Sequence, residues 1–293
     1  GALAIRAGLV TLAQATIIGS VIGNASLVVG MALFWGGVRN GRQFFDRQEV
    51  GHHAVLMVLA VASLALPSLF AATAPNRNVQ ALSVFVAILL ILTYGAYMLY
   101  GVVGLHGGQE SESGEDTFLD DEEEAVEELI GAEDGPRWTV RFSIFWLVVA
   151  SICVALEGDV LVAAVRPVTT TVGISQAFVG LVIIPIVGNV AEHVSAVTLA
   201  GRNKMDLSFG IASGSAIQVA IFVAPVLVLL SFLWHPMTLV FNPIEIAVLA
   251  LAVGIFFFVS WDGESNWLEG LQLMTLYAMA AAVFFFLPNP NPF

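Results

Sequence analysis

The stretch PIVGNVAEHVSAVTLAGRNKMDLSFGIASGSAIQ, which runs from Pro185 to Gln218, places polar residues inside long apolar runs. Glu192 is the most informative of them, because it lies about seven residues into a hydrophobic run and has no basic residue beside it. Inserting a charge at that depth of a membrane costs roughly 2.5–3.5 kcal/mol. We therefore interpret Glu192 as part of an ion-binding or proton-binding site. A carboxyl group that stays protonated and only packs between helices is the alternative.

The spacing of the neighbouring polar residues supports a binding site. Asn189, Glu192 and His193 stand at positions i, i+3 and i+4, so they share one face of a helix. Ser215 and Gln218 stand at i and i+3 on the next apolar run, beside glycines that permit close helix approach. We predict that these five residues bind cations or protons together.

Pro185 and Gly188 precede this polar face, where they are expected to interrupt a membrane helix. A broken helix exposes backbone carbonyl groups, which membranes tolerate only where those groups line a cavity. We expect the metal ligands to be the Glu192 carboxylate and the carbonyls near Val187 and Gly188. Carboxylate, amide, hydroxyl and carbonyl oxygens are hard ligands that suit Ca²⁺; Mn²⁺ is compatible with them and soft metals are not.

Two successive segments, GNVAEH and NKMDLSFGIASGSAIQ, resemble the second signature repeat of the calcium/proton exchangers, a family of the calcium/cation antiporter superfamily. A further segment, DGESNWLEG from Asp262 to Gly270, is similar to the C-terminal segment of the same family. The resemblance extends over most of the chain. It implies a membrane antiporter that exchanges Ca²⁺ for H⁺.

Composition places the chain among polytopic membrane proteins, because 58% of its residues are hydrophobic, 11% are charged and the mean hydropathy is +0.89. The single cysteine, Cys153, excludes a disulfide framework and a cysteine metal site. We predict an all-α fold, no cofactor and no hydrolytic chemistry. Eight apolar runs come near the length that a bilayer requires: Ala15–Val38, Ala54–Ala72, Val79–Leu105, Val140–Val165, Gln176–Gly201, Leu207–Trp234, Ile244–Val259 and Leu268–Leu287.

An internal repeat is visible when Ser20 is superposed on Ser215, an offset of 195 residues that also aligns the glycine before each serine. Asn24 stands four residues after Ser20, so we predict that both face the same cavity as the polar residues of the second repeat. The same ungapped register puts the counterpart of Glu192 four residues before Gly1. We therefore expect the first repeat to continue upstream, with a second acidic residue that completes the site.

Loop charges predict the orientation when basic residues are assigned to alternating sides, span by span. One side collects Arg39, Arg42, Arg47, Arg137, Arg141, Arg202 and Lys204, and the other collects Arg6, Arg77 and Arg166. The positive-inside rule places the richer side in the cytoplasm. The two repeats then run in opposite directions, which is the inverted-topology architecture of secondary transporters. We assign residues 1–105 to a first transmembrane repeat truncated at its N-terminus, 106–138 to a cytoplasmic linker and 139–293 to the second transmembrane repeat.

The predicted linker accounts for the net charge of −13, because Gly107 to Gly135 holds 13 acidic and no basic residues. Its acidic residues include Asp120, Asp121, Glu122, Glu123, Glu124, Glu127 and Glu128. Two interpretations stay open: a solvated linker, and an amphipathic acidic helix that attracts Ca²⁺ toward the cytoplasmic entrance. Exchangers of the resembling family often carry an acidic segment here, so the resemblance favours the second.

Four further polar residues lie near predicted span ends. Glu157 and Asp159 lie near the outer end of a span, where they either line the exit pathway of the ion or occupy a helix end. His52 and His53 begin a span, and we expect both at the membrane interface.

Together these features predict a secondary active antiporter that exchanges Ca²⁺ for H⁺ by alternating access. Ca²⁺ and protons compete for the same carboxylates, which keeps the buried site nearly neutral in both states. His193 either tunes that protonation or bonds to a carbonyl on a neighbouring helix. The expected partners are Ca²⁺, H⁺ and the lipid bilayer, without nucleic acid; the sequence leaves open which membrane is occupied and whether a homo-oligomer forms.

Three alternatives to this function stay open. A Na⁺-coupled cation/Ca²⁺ exchanger shares the fold, although His193 favours the proton-coupled version. A metal-dependent membrane hydrolase belongs to another class, and the sequence lacks the HExxH spacing and a second histidine ligand near His193. A non-transporting scaffold leaves the buried polar residues and the repeat unexplained.

The repeat register leads to a first prediction, which concerns the sequence upstream of Gly1. We expect the parent gene to encode an acidic residue four positions before Gly1, with Asn or Gly three to four residues earlier, because a second carboxylate is needed to balance a divalent cation at this depth. Sequencing the upstream region checks this. An apolar residue at that position would remove the basis for a two-carboxylate site.

A second prediction concerns the acidic linker. We expect that replacing residues 110–134 with a flexible uncharged segment preserves the direction of transport and weakens the apparent Ca²⁺ affinity from the cytoplasmic side, because surface charge raises the local cation concentration. Salt screens this effect, so the difference between variant and parent is expected to shrink as ionic strength rises. Equal affinities of variant and parent at low and at high ionic strength would show that the linker is only a tether.

Overall fold

Apolar helices make up nearly all of the part of the chain that the structure, a computed structural model, describes: residues 1–74, 78–103 and 139–287. The helices are α1 (Ala2–Arg6), α2 (Val10–Asn40), α3 (Arg47–Thr73), α4 (Val79–Val103), α5 (Val140–Val172), α6 (Gln176–Gly188), α7 (Val190–Gly201), α8 (Met205–Ser231), α9 (Pro243–Val259) and α10 (Trp267–Phe286). Two short strands, β1 (Gln43–Phe44) and β2 (Glu264–Ser265), pair antiparallel. The described chain is therefore all-α in its spanning parts, as predicted.

The predicted membrane spans correspond one by one to helices. Within the described ranges, six helices are long and apolar enough to cross a membrane, and a seventh span is formed if the bent pair α6 and α7 is counted as one. The remaining predicted span corresponds to α9, which is apolar but only 17 residues long. The protein is therefore an integral, multi-pass membrane protein.

Polar side chains determine where several helices begin. Asp46 precedes α3, and its carboxylate accepts hydrogen bonds from the backbone N–H groups of Gln48 and Glu49. Asn242 precedes α9 and forms a capping box with Glu245. A matching capping box begins α10. These caps satisfy backbone donors that have no partner within the helix.

The internal repeat is confirmed in the backbone. α2 and α8 begin 195 residues apart, and each contains a π-helical segment at the same offset, Gly23–Val28 in α2 and Gln218–Val223 in α8. The turn before each helix carries a residue with positive φ, again 195 residues apart: 76° at Gly8 and 64° at Asn203. Glycine and asparagine are the residues that adopt this conformation most readily. The ungapped register is therefore correct.

The two repeat helices run in opposite directions. Near the start of α2, the Gln14 amide donates hydrogen bonds to the carbonyls of Thr238 and Val240, which follow the end of α8. At the end of α2, the Asn40 amide donates to the Ala200 carbonyl, which lies just before the start of α8, at 3.1 Å. The start of each helix thus lies beside the end of the other. This arrangement is the predicted inverted-topology repeat.

Charged residues separate to the two ends of the bundle as the loop analysis predicts. At the end assigned to the cytoplasm, Arg42 pairs with Glu264 at 3.3 Å, and Arg47 lies over the Trp261 ring at 5.1 Å. At the other end, Arg6 lies on α1, away from this group. Arg42 and Arg47 thus lie together as predicted, apart from Arg6, whereas the division of the remaining basic residues and the assignment of one side to the cytoplasm stay predictions.

Close glycine contacts place α2 at the centre of the bundle. A Cβ atom at Gly19 would overlap the backbone of Leu181 in α6, and one at Gly270 in α10 would overlap the backbone of Phe34 in α2. Small residues allow membrane helices to pack closely without cavities. Most of the apolar stretch of α2 is consequently buried by other helices rather than exposed to lipid.

The acidic linker predicted at 106–138 lies outside the described residues. Its calcium-attracting role and the division of the chain into three domains stay predictions.

The contact at Gly19 leads to a prediction about stability. We expect Gly19→Ala to destabilise the full-length protein by about 1–3 kcal/mol, because the added methyl group overlaps backbone atoms that cannot move independently. The matched control is Gly254→Ala in α9, where a Cβ atom meets nothing within 4 Å. Thermal denaturation followed by size-exclusion chromatography measures both variants. Equal midpoints for Gly19→Ala and Gly254→Ala would contradict the close approach of α6 to α2.

Candidate functional site

The polar stretch that contains Glu192 is interrupted where the sequence predicts. α6 ends at Gly188, α7 begins at Val190, and the two helices are bent by 58° relative to each other. Asn189 stands at the break with φ of −107° and ψ of 22°. A π-helical segment, Val179–Ile183, comes before the break and is followed by Pro185, which has no N–H to donate to the carbonyl four residues earlier. This leaves irregular backbone at the middle of an apolar pair of helices.

Asn24 links the break to both repeat helices. Its side-chain amide donates a hydrogen bond of 2.9 Å to the Ser215 hydroxyl on α8, and its carbonyl oxygen accepts one of 3.4 Å from the amide of Asn189. Asn24 is completely buried in the middle of α2. A buried amide in an apolar bundle needs such partners, because an unpaired one costs several kcal/mol in hydrocarbon. The structure therefore brings together three predicted site residues from three helices.

Glu192 and His193 lie in the first turn of α7, one turn after Asn189, and both are partly buried. The N-terminal end of a helix carries a partial positive charge, which favours a nearby carboxylate. Among the described residues, no group of three or more acidic, histidine or cysteine side chains is close enough to hold a metal ion. The donors around the break are instead one carboxylate, two amides and a hydroxyl, together with the backbone of the broken helix.

The remaining predicted ligands lie around this cluster. Ser20 is buried one turn before Asn24 and lines a cavity of about 200 Å³ together with Thr16 of α2 and Val219 of α8. This cavity therefore lies where the two repeat helices meet. Val187 and Gly188 are exposed at the end of α6.

Gln218 differs from Ser215, with which it was predicted to act. Ser215 takes part in the hydrogen bond to Asn24, whereas the Gln218 side chain is exposed at the first position of the π-helical segment of α8. The structure therefore does not bring Gln218 into the cluster. Its role as a ligand stays a prediction.

Asp159, one of the two predicted pathway residues, pairs with Arg6 at 3.0 Å and so joins α5 to α1. Both side chains are about half exposed, so this pair contributes little to stability. Glu157 is exposed on the same helix. A role of either carboxylate in the pathway of the ion stays a prediction.

The expectation that His53 lies at the membrane interface is wrong, although its neighbour His52 is exposed. His53 is only 1% exposed, and its Nδ1 atom lies 2.5 Å from the Ser213 hydroxyl of α8. Its Nε2 atom lies 3.4 Å from the Tyr97 hydroxyl of α4. The position of the two histidines near a helix start gave no sign of this, because only the packing of α3 against α8 and α4 buries one of them.

Comparison with known proteins supports this architecture. The model of the family described as sodium/calcium exchanger protein matches residues 2–103 and 142–286, so it covers both halves of the chain. The chain is 38% identical to a Ca(2+)/H(+) antiporter of Aphanothece halophytica over 301 residues, which is 98% of this chain and 77% of that protein. It is 36% identical to the Ca(2+)/H(+) antiporter ChaA of Bacillus subtilis, over 97% of this chain and 78% of that protein.

Solved structures agree with these relatives. The structure of native YfkE superposes with a TM-score of 0.78 at 34% identity and covers 97% of this chain and 78% of its own. The sodium-calcium exchanger NCX_Mj superposes with a TM-score of 0.58 at 17% identity, over 96% of this chain and 79% of its own, and so shares the fold. The chain therefore belongs to the sodium/calcium exchanger protein family.

Proposed function

We propose that the protein is a secondary active antiporter that exchanges Ca²⁺ for H⁺ across a membrane by alternating access. The observation that carries this proposal is the hydrogen-bonded cluster of Asn189, Asn24 and Ser215, which lies beside Glu192 at the break between α6 and α7. The names of the relatives from Aphanothece halophytica and Bacillus subtilis, both Ca(2+)/H(+) antiporters, support the choice of ions.

The donor set explains why Ca²⁺ is the expected substrate. The Glu192 carboxylate, the amides of Asn189 and Asn24 and the Ser215 hydroxyl offer hard oxygen atoms. The backbone carbonyls of Val187 and Gly188, two exposed residues at the end of α6, are further candidates. Ca²⁺ binds six to eight such oxygens in flexible geometry, and Mn²⁺ accepts the same ligand type. The cation is transported cargo, and the proposal includes no resident cofactor.

Proton coupling follows from the charge of the site. A carboxylate in an apolar bundle is stable when it binds a cation or a proton, and unstable when it stays charged and alone. Ca²⁺ and H⁺ therefore compete at Glu192, and the more acidic compartment drives Ca²⁺ release. His193, the next residue on the same helix turn, is placed to influence this competition.

The inverted repeat explains how the site reaches both sides of the membrane. The cluster lies at the junction of α2 and α8, which run in opposite directions. In transporters of this architecture, one repeat rocks against the other around a central site. Each π-helical segment lies beside or within this junction, where it provides irregular backbone that can change conformation.

Sodium-coupled exchange is the remaining alternative within the same fold. The likeness to the sodium-calcium exchanger NCX_Mj extends to the fold alone, since the identity is 17%. The proton-coupled version is favoured because His193 follows Glu192 directly. Ca²⁺ uptake that is driven by a Na⁺ gradient in the absence of a pH gradient would show that the exchange is sodium-coupled.

The proposed function also includes the lipid bilayer as a partner and an orientation of the protein in the membrane. The bilayer surrounds the bundle, and the basic ends of α2 and α3 face the cytoplasm together with the acidic linker. Oligomeric state plays no part in the proposed mechanism, because the cluster is built from a single chain.

Glu192→Gln tests the proposal most directly. The amide preserves size and hydrogen bonding but removes both the negative charge and the titratable proton, so the full-length variant is expected to fold and to lose exchange down to background. A residue that only packs would tolerate the change, because polar contacts between membrane helices average about 0.6 kcal/mol. The measurement is ⁴⁵Ca²⁺ uptake into proteoliposomes driven by a pH gradient, with folding checked by size-exclusion chromatography.

The matched control is Glu264→Gln, which makes the same substitution at an exposed partner of Arg42 and is expected to transport normally. Gln218→Ala is expected to weaken transport less than Glu192→Gln, because water can replace a neutral ligand. Normal uptake by well-folded Glu192→Gln protein would overturn the proposed site.

A further inference from the structure

A second set of hydrogen-bonded polar side chains lies on the side of α8 that faces away from Ser215. His53 of α3 contacts the Ser213 hydroxyl of α8 through Nδ1, at 2.5 Å, and the Tyr97 hydroxyl of α4 through Nε2, at 3.4 Å. His53 is buried in the bundle, seven residues into a helix of membrane length. Burying an imidazole there costs free energy unless its nitrogens are hydrogen-bonded, so the contacts with Ser213 and Tyr97 are needed to keep His53 in this position.

The donor and the acceptor of each of these hydrogen bonds can be assigned. The Ser213 hydroxyl donates to the Phe209 carbonyl at 2.5 Å, which leaves its oxygen as an acceptor for a proton on His53 Nδ1. Nε2 of the neutral ring then accepts from the Tyr97 hydroxyl. The hydrogen bonds run from Tyr97 to a backbone carbonyl, which cannot pass a proton onward. These hydrogen bonds therefore join α3 to α4 and to α8.

Ser213 and Ser215 project from opposite sides of α8. Two residues correspond to about 200° of rotation around a helix axis. Ser215 bonds to Asn24 on α2 and Ser213 bonds to His53 on α3, so α8 is held from two sides at the same level. Together these two bonds restrain the rotation of α8 about its own axis.

The effect on a cation site can be estimated. A side-chain oxygen lies roughly 5 Å from the helix axis, so a rotation of about 15° moves it by more than about 1 Å. Oxygen ligands of Ca²⁺ lie at about 2.3–2.6 Å, so an oxygen displaced by more than about 1 Å no longer binds the ion. A loss of rotational restraint on α8 therefore weakens cation binding even when the bundle stays folded.

We propose that His53 is a positioning residue for Ca²⁺ binding, which acts through Ser213 to hold Ser215 in the direction of the site. This inference rests on the proposed function, because it takes Ser215 to be a ligand of the transported ion. His53 itself does not contact that ion.

Two substitutions separate the two hydrogen bonds of the ring. The amide nitrogen of His53→Asn takes the place of Nδ1 and donates to Ser213, whereas the amide of His53→Gln reaches the position of Nε2, where its oxygen can accept from the Tyr97 hydroxyl and the bond to Ser213 is lost. We expect His53→Gln to raise the KM for Ca²⁺ about three- to tenfold with little change in kcat, the effect of losing one hydrogen bond between membrane helices. We expect His53→Asn to stay within about twofold of the parent.

Ser213→Ala removes the same hydrogen bond from the other side, together with the bond from the Ser213 hydroxyl to the Phe209 carbonyl within α8. It is expected to fold and to show the same rise in KM as His53→Gln. The variant that carries both His53→Gln and Ser213→Ala is expected to have a KM no higher than that of either single variant, because the two substitutions remove the same hydrogen bond. The surface control is His52→Gln, which is expected to match the parent. KM and kcat are measured by ⁴⁵Ca²⁺ uptake under a pH gradient, normalised to folded protein.

A parental KM in Ser213→Ala, or equal KM values for His53→Asn and His53→Gln, would overturn the positioning role. Glu192→Gln, measured in parallel, separates this inference from the proposed function. If Glu192→Gln is inactive and the His53 and Ser213 variants match the parent, only the positioning role fails. If Glu192→Gln is active, the proposed function fails, and with it the inference that rests on it.

Discussion

The requirement that buried polar groups in an apolar bundle find partners organises this protein. Asn24 is fully buried in the most enclosed helix and is satisfied only because α7 and α8 bring Asn189 and Ser215 to it. The cost of leaving an amide unpaired in hydrocarbon exceeds the gain from most apolar contacts of similar size. The hydrogen bonds that connect the two repeats are therefore a condition of the fold, and they also hold the residues of the proposed ion site together.

α7, the second helix of the bent pair, is held by close contacts at its C-terminal end and adjoins open space at its N-terminal end. The amides of Asn40 and Gln43 donate to the Ala200 carbonyl near the end of α7, and Gly201 packs closely against Trp35. The other end of α7 begins at the 58° bend, where Gly188 has open space around it. A helix anchored at its C-terminal end and hinged at its N-terminal end can move the Glu192 carboxylate while the rest of the bundle stays packed. This division suits alternating access, which needs a site that moves within a rigid frame.

Glycines and serines hold the helices together in two different ways. Without a hydrophobic driving force between helices in lipid, close contact depends on small residues and on hydrogen bonds. Glycines in α2, α6 and α10 let backbones touch, whereas Ser213 and Ser215 connect α8 to two different neighbours. The site therefore depends on packing that lies outside its own set of ligands.

Much of this protein was determined by the sequence itself, through local spacing. Hydrophobic run length predicted the helices, the ungapped offset of 195 predicted the repeat, and Pro185 with Gly188 predicted the break. Residues at i, i+3 and i+4 share a helix face whatever surrounds the helix, which is why Asn189 and Asn24 could be predicted to face the same cluster. Only the tertiary structure decided which helices are neighbours. Helix packing buried His53 against Ser213 and left Gln218 exposed, because spacing along one helix carries no information about the helix that packs against it.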